Sequence, residues 1–188
     1  MSRSDRLRVA YVDHCAQLSG GELALARLLD ALDVEAHVIL AEDGPLRSLL
    51  EKSGAVVHIL PLAESVRGVH RDRVGSSGLA RIPQTAWYIV KLARLIRKLQ
   101  PDIVHTNSLK AALYGGAAGR LAGVPVIWHI RDRIASDYLP SGTVRLVRSA
   151  GRVLPTAIIA NSRATLKAFG PTRRPSVSIP SPVKVDLS

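Results

Sequence analysis

The chain has 188 residues, 47% of them hydrophobic and 22% charged, enough for one full core with the balance of a globular protein. No apolar run approaches the roughly 20 residues that cross a bilayer, and Asp13 and His14 break the first one, so neither a membrane span nor a secretory leader is read. The single cysteine, Cys15, excludes an internal disulfide framework and is read as a passive small residue; the expected location is the cytoplasm.

The net charge of +11 is unevenly spread. Residues 1–63 carry six Lys/Arg against nine Asp/Glu, and residues 64–188 carry twenty against six. Such an imbalance points to an anionic partner, whether a phosphate-bearing substrate or a membrane surface. Nucleic acid is disfavoured, because aromatics make up only 4% of the chain and none interleaves with the basic residues as a stacking platform.

Leu7 to Asp13 reads as a first strand, and His14 to Ser19 as a loop. Ser19-Gly20-Gly21-Glu22 then opens a helix carrying Leu25, Leu28, Leu29 and Leu32 at helical spacing. Val34 to Ala41 is a second strand, followed by a helix from Pro45 that Gly54 stops, and Ala55 to Leu60 is a third strand. This βαβαβ rhythm is the signature of a parallel, doubly wound sheet. Residues 61–82 have no apolar period and read as a long mobile loop. A helix from about Pro83 to Leu99 is expected to bury Trp87, Val90, Leu95 and Leu99 and to wet Lys91, Arg94, Arg97 and Lys98. As a basic amphipathic helix it is also a candidate for lying on an anionic membrane.

Ile103 to Thr106 is a fourth strand, and Asn107-Ser108 caps a helix to Ala122 whose Gly115, Gly116 and Gly119 allow close packing on a sheet. Gly123-Val124-Pro125 turns into a fifth strand, Val126 to Ile130. A polar loop, a helix from Thr143 to about Val153, a sixth strand from Thr156 to Ala160 and a short helix capped by Asn161-Ser162 follow. Ser176 to Ile179 is a last, edge-type strand in a proline-rich end. The domain is expected over residues 1–170, with 171–188 as the last strand and the start of a hinge.

Ligands of open α/β sheets sit beyond the carboxyl ends of the strands. His105, Asn107, His129, Arg131 and Asp132 fall at such ends. Two histidines at neighbouring strand ends favour a shared site over isolated structural roles, and neutral imidazoles there suit a hydroxyl-rich ligand. No third ligand has a zinc-like spacing. The glycine turn at Gly20 and Gly21 lets a ligand approach the backbone, and the helix start behind it attracts anions.

Four segments together resemble the amino-terminal half of a family 4 glycosyltransferase of the GT-B fold. They are Ser19-Gly20-Gly21-Glu22, Pro101 to Asn107, Val124 to Asp132, and Ile158-Ile159-Ala160-Asn161-Ser162. Val177 to Val183 resembles the passage into a second domain of such enzymes. The resemblance implies a Rossmann-like three-layer α/β/α domain with a mostly parallel sheet of about seven strands. It also implies retaining transfer of a sugar from a nucleotide-sugar, UDP- or GDP-linked, to a glycan or lipid-linked acceptor, with no metal and no other cofactor. By motif, Gly20 and Gly21 would face the donor phosphates, and His129 would hold the donor sugar. His105 and Asn107 would belong to the substrate site, Arg131 and Asp132 would flank the acceptor pocket, and Asn161 and Ser162 would close the cleft. A missing carboxyl-terminal domain would supply most nucleotide contacts, leaving this half inactive alone. The inner membrane face is a candidate peripheral location. The alternative is a non-catalytic module that binds a glycan, lipid or partner protein.

Overall fold

The computed structural model describes residues 5–62 and 82–182. Strands and helices alternate in it as β1 (Arg8–Asp13), α1 (Gly20–Ala31), β2 (Glu35–Leu40), α2 (Pro45–Lys52), β3 (Val56–Ile59) and α3 (Ile82–Leu99). The series continues with β4 (Ile103–Thr106), α4 (Leu109–Ala122), β5 (Val126–Ile130), α5 (Ser141–Gly151), β6 (Ala157–Ala160), α6 (Arg163–Phe169) and β7 (Ser176–Ser178). The strands form one seven-stranded sheet in the order β3-β2-β1-β4-β5-β6-β7, and every neighbouring pair is parallel. The fold is the Rossmann-like three-layer domain expected. Residues 63–81 of the expected mobile loop, and residues 183–188, lie outside the described part.

Strand alternation divides the core into two layers. Val9, Tyr11, Val38 and Leu40 pack with Leu25, Leu29, Leu46 and Leu50 of α1 and α2. Val12, Ile39, Val104, Val126, Trp128 and Ile158 pack on the other side with α3, α4 and α5. Helix α4 approaches that side closely because three of its residues lack a Cβ. One built on Gly119 would come within 2.5 Å of Val126 Cγ2, and one on Gly116 within 2.7 Å of Trp128 Nε1. Gly123 ends α4 in the left-handed conformation at φ 77°, which an L side chain would strain.

Helix α3 keeps Lys91, Arg94, Arg97 and Lys98 exposed and packs Leu95 and Leu99 against the core as expected, but Trp87 falls on the other side. It buries Tyr88, Leu92, Ala93 and Ile96, whereas Trp87 is 54% exposed with Lys91 and Arg94 over its ring at 5.5 and 5.7 Å. Spacing alone permits either face, and the sheet selects the stripe that includes Tyr88, which packs edge-on against Tyr114 of α4. Among the described residues, no helix is long and apolar enough to cross a membrane.

Strands β1 and β4 are neighbours although β2 and β3 intervene in sequence. Beyond their carboxyl ends the chain departs in opposite directions, to α1 from one and to α4 from the other. The crevice opened at such a reversal is where ligands bind in this architecture.

Candidate functional site

Asp13 ends β1 at the floor of this crevice and is fully buried. Its carboxylate accepts the backbone N–H of His14 at 2.7 Å and Asn107 Nδ2 at 2.6 Å. Asn107 follows β4. Its amide also donates to the Gly21 carbonyl at 3.2 Å, while its Oδ1 accepts Arg131 Nε at 3.1 Å. Asn107 thereby ties three chain segments together: the end of β1, the start of α1 and the residue after β5. Of the two expected cap residues, Ser108 takes the N-cap position of α4 in extended conformation, without a side-chain cap bond.

Arg131 reaches across the crevice rather than pairing along the surface. Nη1 donates to Ser181 Oγ at 2.9 Å, and Nη2 lies 3.5 Å from His129 Nδ1. Gly21 makes room for its stem: a Cβ there would sit 3.3 Å from Arg131 Cδ, whereas one on Gly20 would meet nothing within 4 Å. The two glycines therefore differ. Gly21 accommodates an arginine, and Gly20 leaves the first turn of α1 open. Ser19 precedes that turn without capping it; its hydroxyl bonds the carboxylate of the buried Glu22 instead.

His105 and His129 lie side by side on the α1 face of the sheet, as their register requires, with ring centroids 5.3 Å apart and nearly perpendicular. Tyr11 packs edge-on against His105 at 5.1 Å. Burial and the nearby guanidinium of Arg131 lower the His105 pKa to about 4. Burial, then Arg131 and His105, lower that of His129 to about 3. Both rings are neutral at physiological pH. A guanidinium only donates, so His129 Nδ1 presents its lone pair to Arg131 and Nε2 carries the hydrogen. That Nε2 is buried with no partner among the described residues, as is His105 Nδ1. A buried donor left unmatched costs roughly 1–3 kcal/mol, which an arriving oxygen acceptor would recover.

The remaining expected residues lie around this centre. Asp132 is half-buried beside Arg131. Asn161 donates from Nδ2 to the Arg131 carbonyl at 3.2 Å, and its buried Oδ1 has no partner among the described residues. Ser162 caps α6 by accepting the Thr165 N–H at 3.0 Å, so its hydroxyl is engaged in the helix start. Gly21, Asn107, His129 and Arg131 thus form one bonded cluster, with His105 packed beneath His129 and Asn161 behind Arg131. Sequence reasoning missed Asp13, His14, Ser108 and Ser181. The signal for the first two is the abrupt end of the β1 apolar run in an acid and a histidine, beside the strand-order reversal.

The chain resembles proteins that transfer sugars. The family described as "Glycosyltransferase Family 4" matches residues 23–186. A UDP-Gal:alpha-D-GlcNAc-diphosphoundecaprenol alpha-1,3-galactosyltransferase of Escherichia coli is 28% identical over 149 residues, which are 78% of this chain and 35% of that protein. Anabaena Alr3699/HepE, solved with UDP and glucose, superposes with a TM-score of 0.75 at 22% identity, covering 93% of this chain and 44% of that one. MurG of Acinetobacter baumannii gives 0.61 at 16% identity, covering 94% and 47%. The chain spans less than half the length of each of these relatives. With a family match over most of its length and a wholly parallel sheet shared with GT-B enzymes, the chain belongs to Glycosyltransferase Family 4, as an amino-terminal domain of the GT-B fold.

Proposed function

We propose that this domain forms the acceptor side of the cleft in an enzyme that moves a sugar from a nucleotide-sugar to a glycan or a lipid carrier, with retention at the anomeric carbon and without a metal. The observation that carries the reading is the unmatched Nε2–H of neutral, buried His129, held in that tautomer by Arg131 at the topological switch point. In this reading Nε2–H donates to a hydroxyl of the donor sugar. Gly20 and the open first turn of α1 face the leaving diphosphate, where unpaired backbone N–H groups stabilise developing charge. Arg131 and Asp132 flank the acceptor pocket, Asn161 closes it, and His105 and Asn107 position the groups that make contact. UDP in two of the relatives, and the diphosphoundecaprenol-linked sugar on which one of them acts, support a UDP-sugar and a lipid-linked acceptor. A second domain supplies the nucleotide pocket, so the 188-residue chain alone transfers nothing.

An anionic membrane surface belongs to the same proposal, with action at the cytoplasmic face. Its support is the charge of one helix layer. Helices α3 to α6 carry Lys91, Arg94, Arg97, Lys98, Lys110, Arg120, Arg145, Arg148, Arg163 and Lys167 and no Asp or Glu, and Trp87 and Leu146 stand exposed among them.

The stereochemistry is read from the product of the domain joined to its donor half. Proton NMR should give the anomeric configuration of the donor, and turnover should survive a chelator. An inverted product, or loss of activity in the chelator restored by a divalent cation, would contradict the mechanism.

A further inference from the structure

Among the described residues, Arg131 is held in the crevice by three uncharged groups. Nε donates to Asn107 Oδ1 at 3.1 Å, Nη1 to Ser181 Oγ at 2.9 Å, and Nη2 faces His129 Nδ1 at 3.5 Å. Asp13 and Glu22 act on the guanidinium through space. A guanidinium is a rigid planar fork, so two bonds fix its plane and with it the position of the third nitrogen. Asn107 and Ser181 make those two bonds. The nitrogen whose place they determine is the one that faces His129.

The two anchors differ in what carries them. Asn107 is tied to Asp13 and to the Gly21 carbonyl, within the body of the domain. Ser181 lies beyond β7, in the stretch Ile179-Pro180-Ser181-Pro182. There the Ile179 N–H donates to the Ala160 carbonyl at 2.9 Å, and the Pro182 carbonyl accepts Arg27 Nη1 at 3.3 Å. Each proline fixes its own φ and keeps the residue before it extended, so Ser181 sits on a stiff strap rather than a slack loop. A shift of the strap carries Ser181 with it, and the guanidinium follows.

We propose that Ser181 is a positioning residue for His129: through Arg131 it holds the imidazole with its hydrogen on Nε2, and the site is set only while the strap is seated. The proposal rests on the sugar-transfer reading above, in which that hydrogen meets the donor sugar and the strap leads toward the donor half. With Ser181 in place, Nη2 faces Nδ1, and a hydrogen on Nδ1 would set donor against donor. With Ser181 displaced, the fork pivots about its bond to Asn107 and Nδ1 is free to take the hydrogen. Nε2 then presents a lone pair and cannot donate. A contact 50 residues along the chain from Arg131 thus decides which side of His129 carries the hydrogen.

The test starts with the 188-residue chain, its histidine nitrogens isotopically labelled and the His129 signals identified from their loss in His129→Gln. At about pH 7.5, where the ring is neutral, nitrogen chemical shifts read which tautomer is populated. Wild type should hold the Nε2–H form. Ser181→Ala should lower its ratio to the Nδ1–H form by about 3–10-fold, the worth of one hydrogen bond, and Ser181→Thr, which keeps the hydroxyl, should restore it. A merely structural serine would change the melting temperature and leave the tautomer alone. In the domain joined to its donor half, Ser181→Ala should lose about 3–10-fold in kcat, again restored by Ser181→Thr. A wild-type ring with its hydrogen on Nδ1, an unchanged tautomer in Ser181→Ala, or a loss that Ser181→Thr fails to restore would overturn the assignment. A wild type that transfers from no donor, with the tautomer shift still seen, defeats the transfer reading and leaves the positioning by Ser181 standing.

Discussion

In the unfolded chain a histidine titrates near pH 6.5, but in the fold burial and Arg131 hold His105 to about 4 and His129 to about 3. Both are neutral in either state above 6.5, so their stabilising effect is complete there. Below that, the unfolded chain takes up protons that the native state refuses. Each histidine then costs about 1.4 kcal/mol of stability per pH unit until its own folded pKa is reached. Urea unfolding should show stability falling between pH 6.5 and 4, and the His105→Gln/His129→Gln variant should fall less steeply; parallel curves would contradict this. His129→Ala should fold and still lose roughly 10–100-fold in transfer, because a donor to the sugar is gone. Collapse of the melting temperature without a specific rate loss would make His129 structural. The positions of His105, His129 and Arg131 were legible in the sequence because strand ends are. The partners of Arg131 were not, since Asn107 and Ser181 lie 24 and 50 residues away along the chain. Nothing local says that an arginine next to Asp132 turns to them instead.

At the level of elements, α4 shows how composition serves packing. Its glycines lower helix propensity by about 1 kcal/mol each, and the helix is retained because it lies almost against the strands. Gly119→Ala should therefore destabilise by about 1–3 kcal/mol despite the better helix former, since its Cβ would overlap Val126. Gly20→Ala, with open space around it, should leave the melting temperature within about a degree or two. Thermal unfolding of the pair checks both; equal effects would mean that α4 does not sit this close. Strand and helix bounds for β4, β5 and α4 followed directly from turn residues and apolar runs. The exposure of Trp87 on α3 did not. Trp87 looks like a core residue by type, but its angular position is shared with Lys91, Arg94 and Lys98, and only the stripe facing α4 and the sheet settles which side is buried.

Across the whole molecule, charge is segregated by layer. The helices over β1 to β3 mix acids and bases, whereas those on the other face carry cations without carboxylates. Vesicles containing about 30% anionic phospholipid should sediment the protein at low salt, and binding should weaken steeply by 0.5 M salt as charges are screened. Lys91→Glu/Arg94→Glu should abolish it; equal binding to neutral vesicles would remove the charged layer as the cause. Sugar transfer in a cleft of which this domain is one wall is the proposal on which the rest depends. The direct measurement supplies labelled UDP- and GDP-sugars, with glycan and polyprenyl-diphosphate-linked acceptors, to this domain joined to its donor half and to the 188-residue chain alone. Turnover by the joined form and none by the chain alone is the expected result. If the joined form turns over no donor with any acceptor, the domain is a binding module, and the account of His129 and the open turn at Gly20 is wrong.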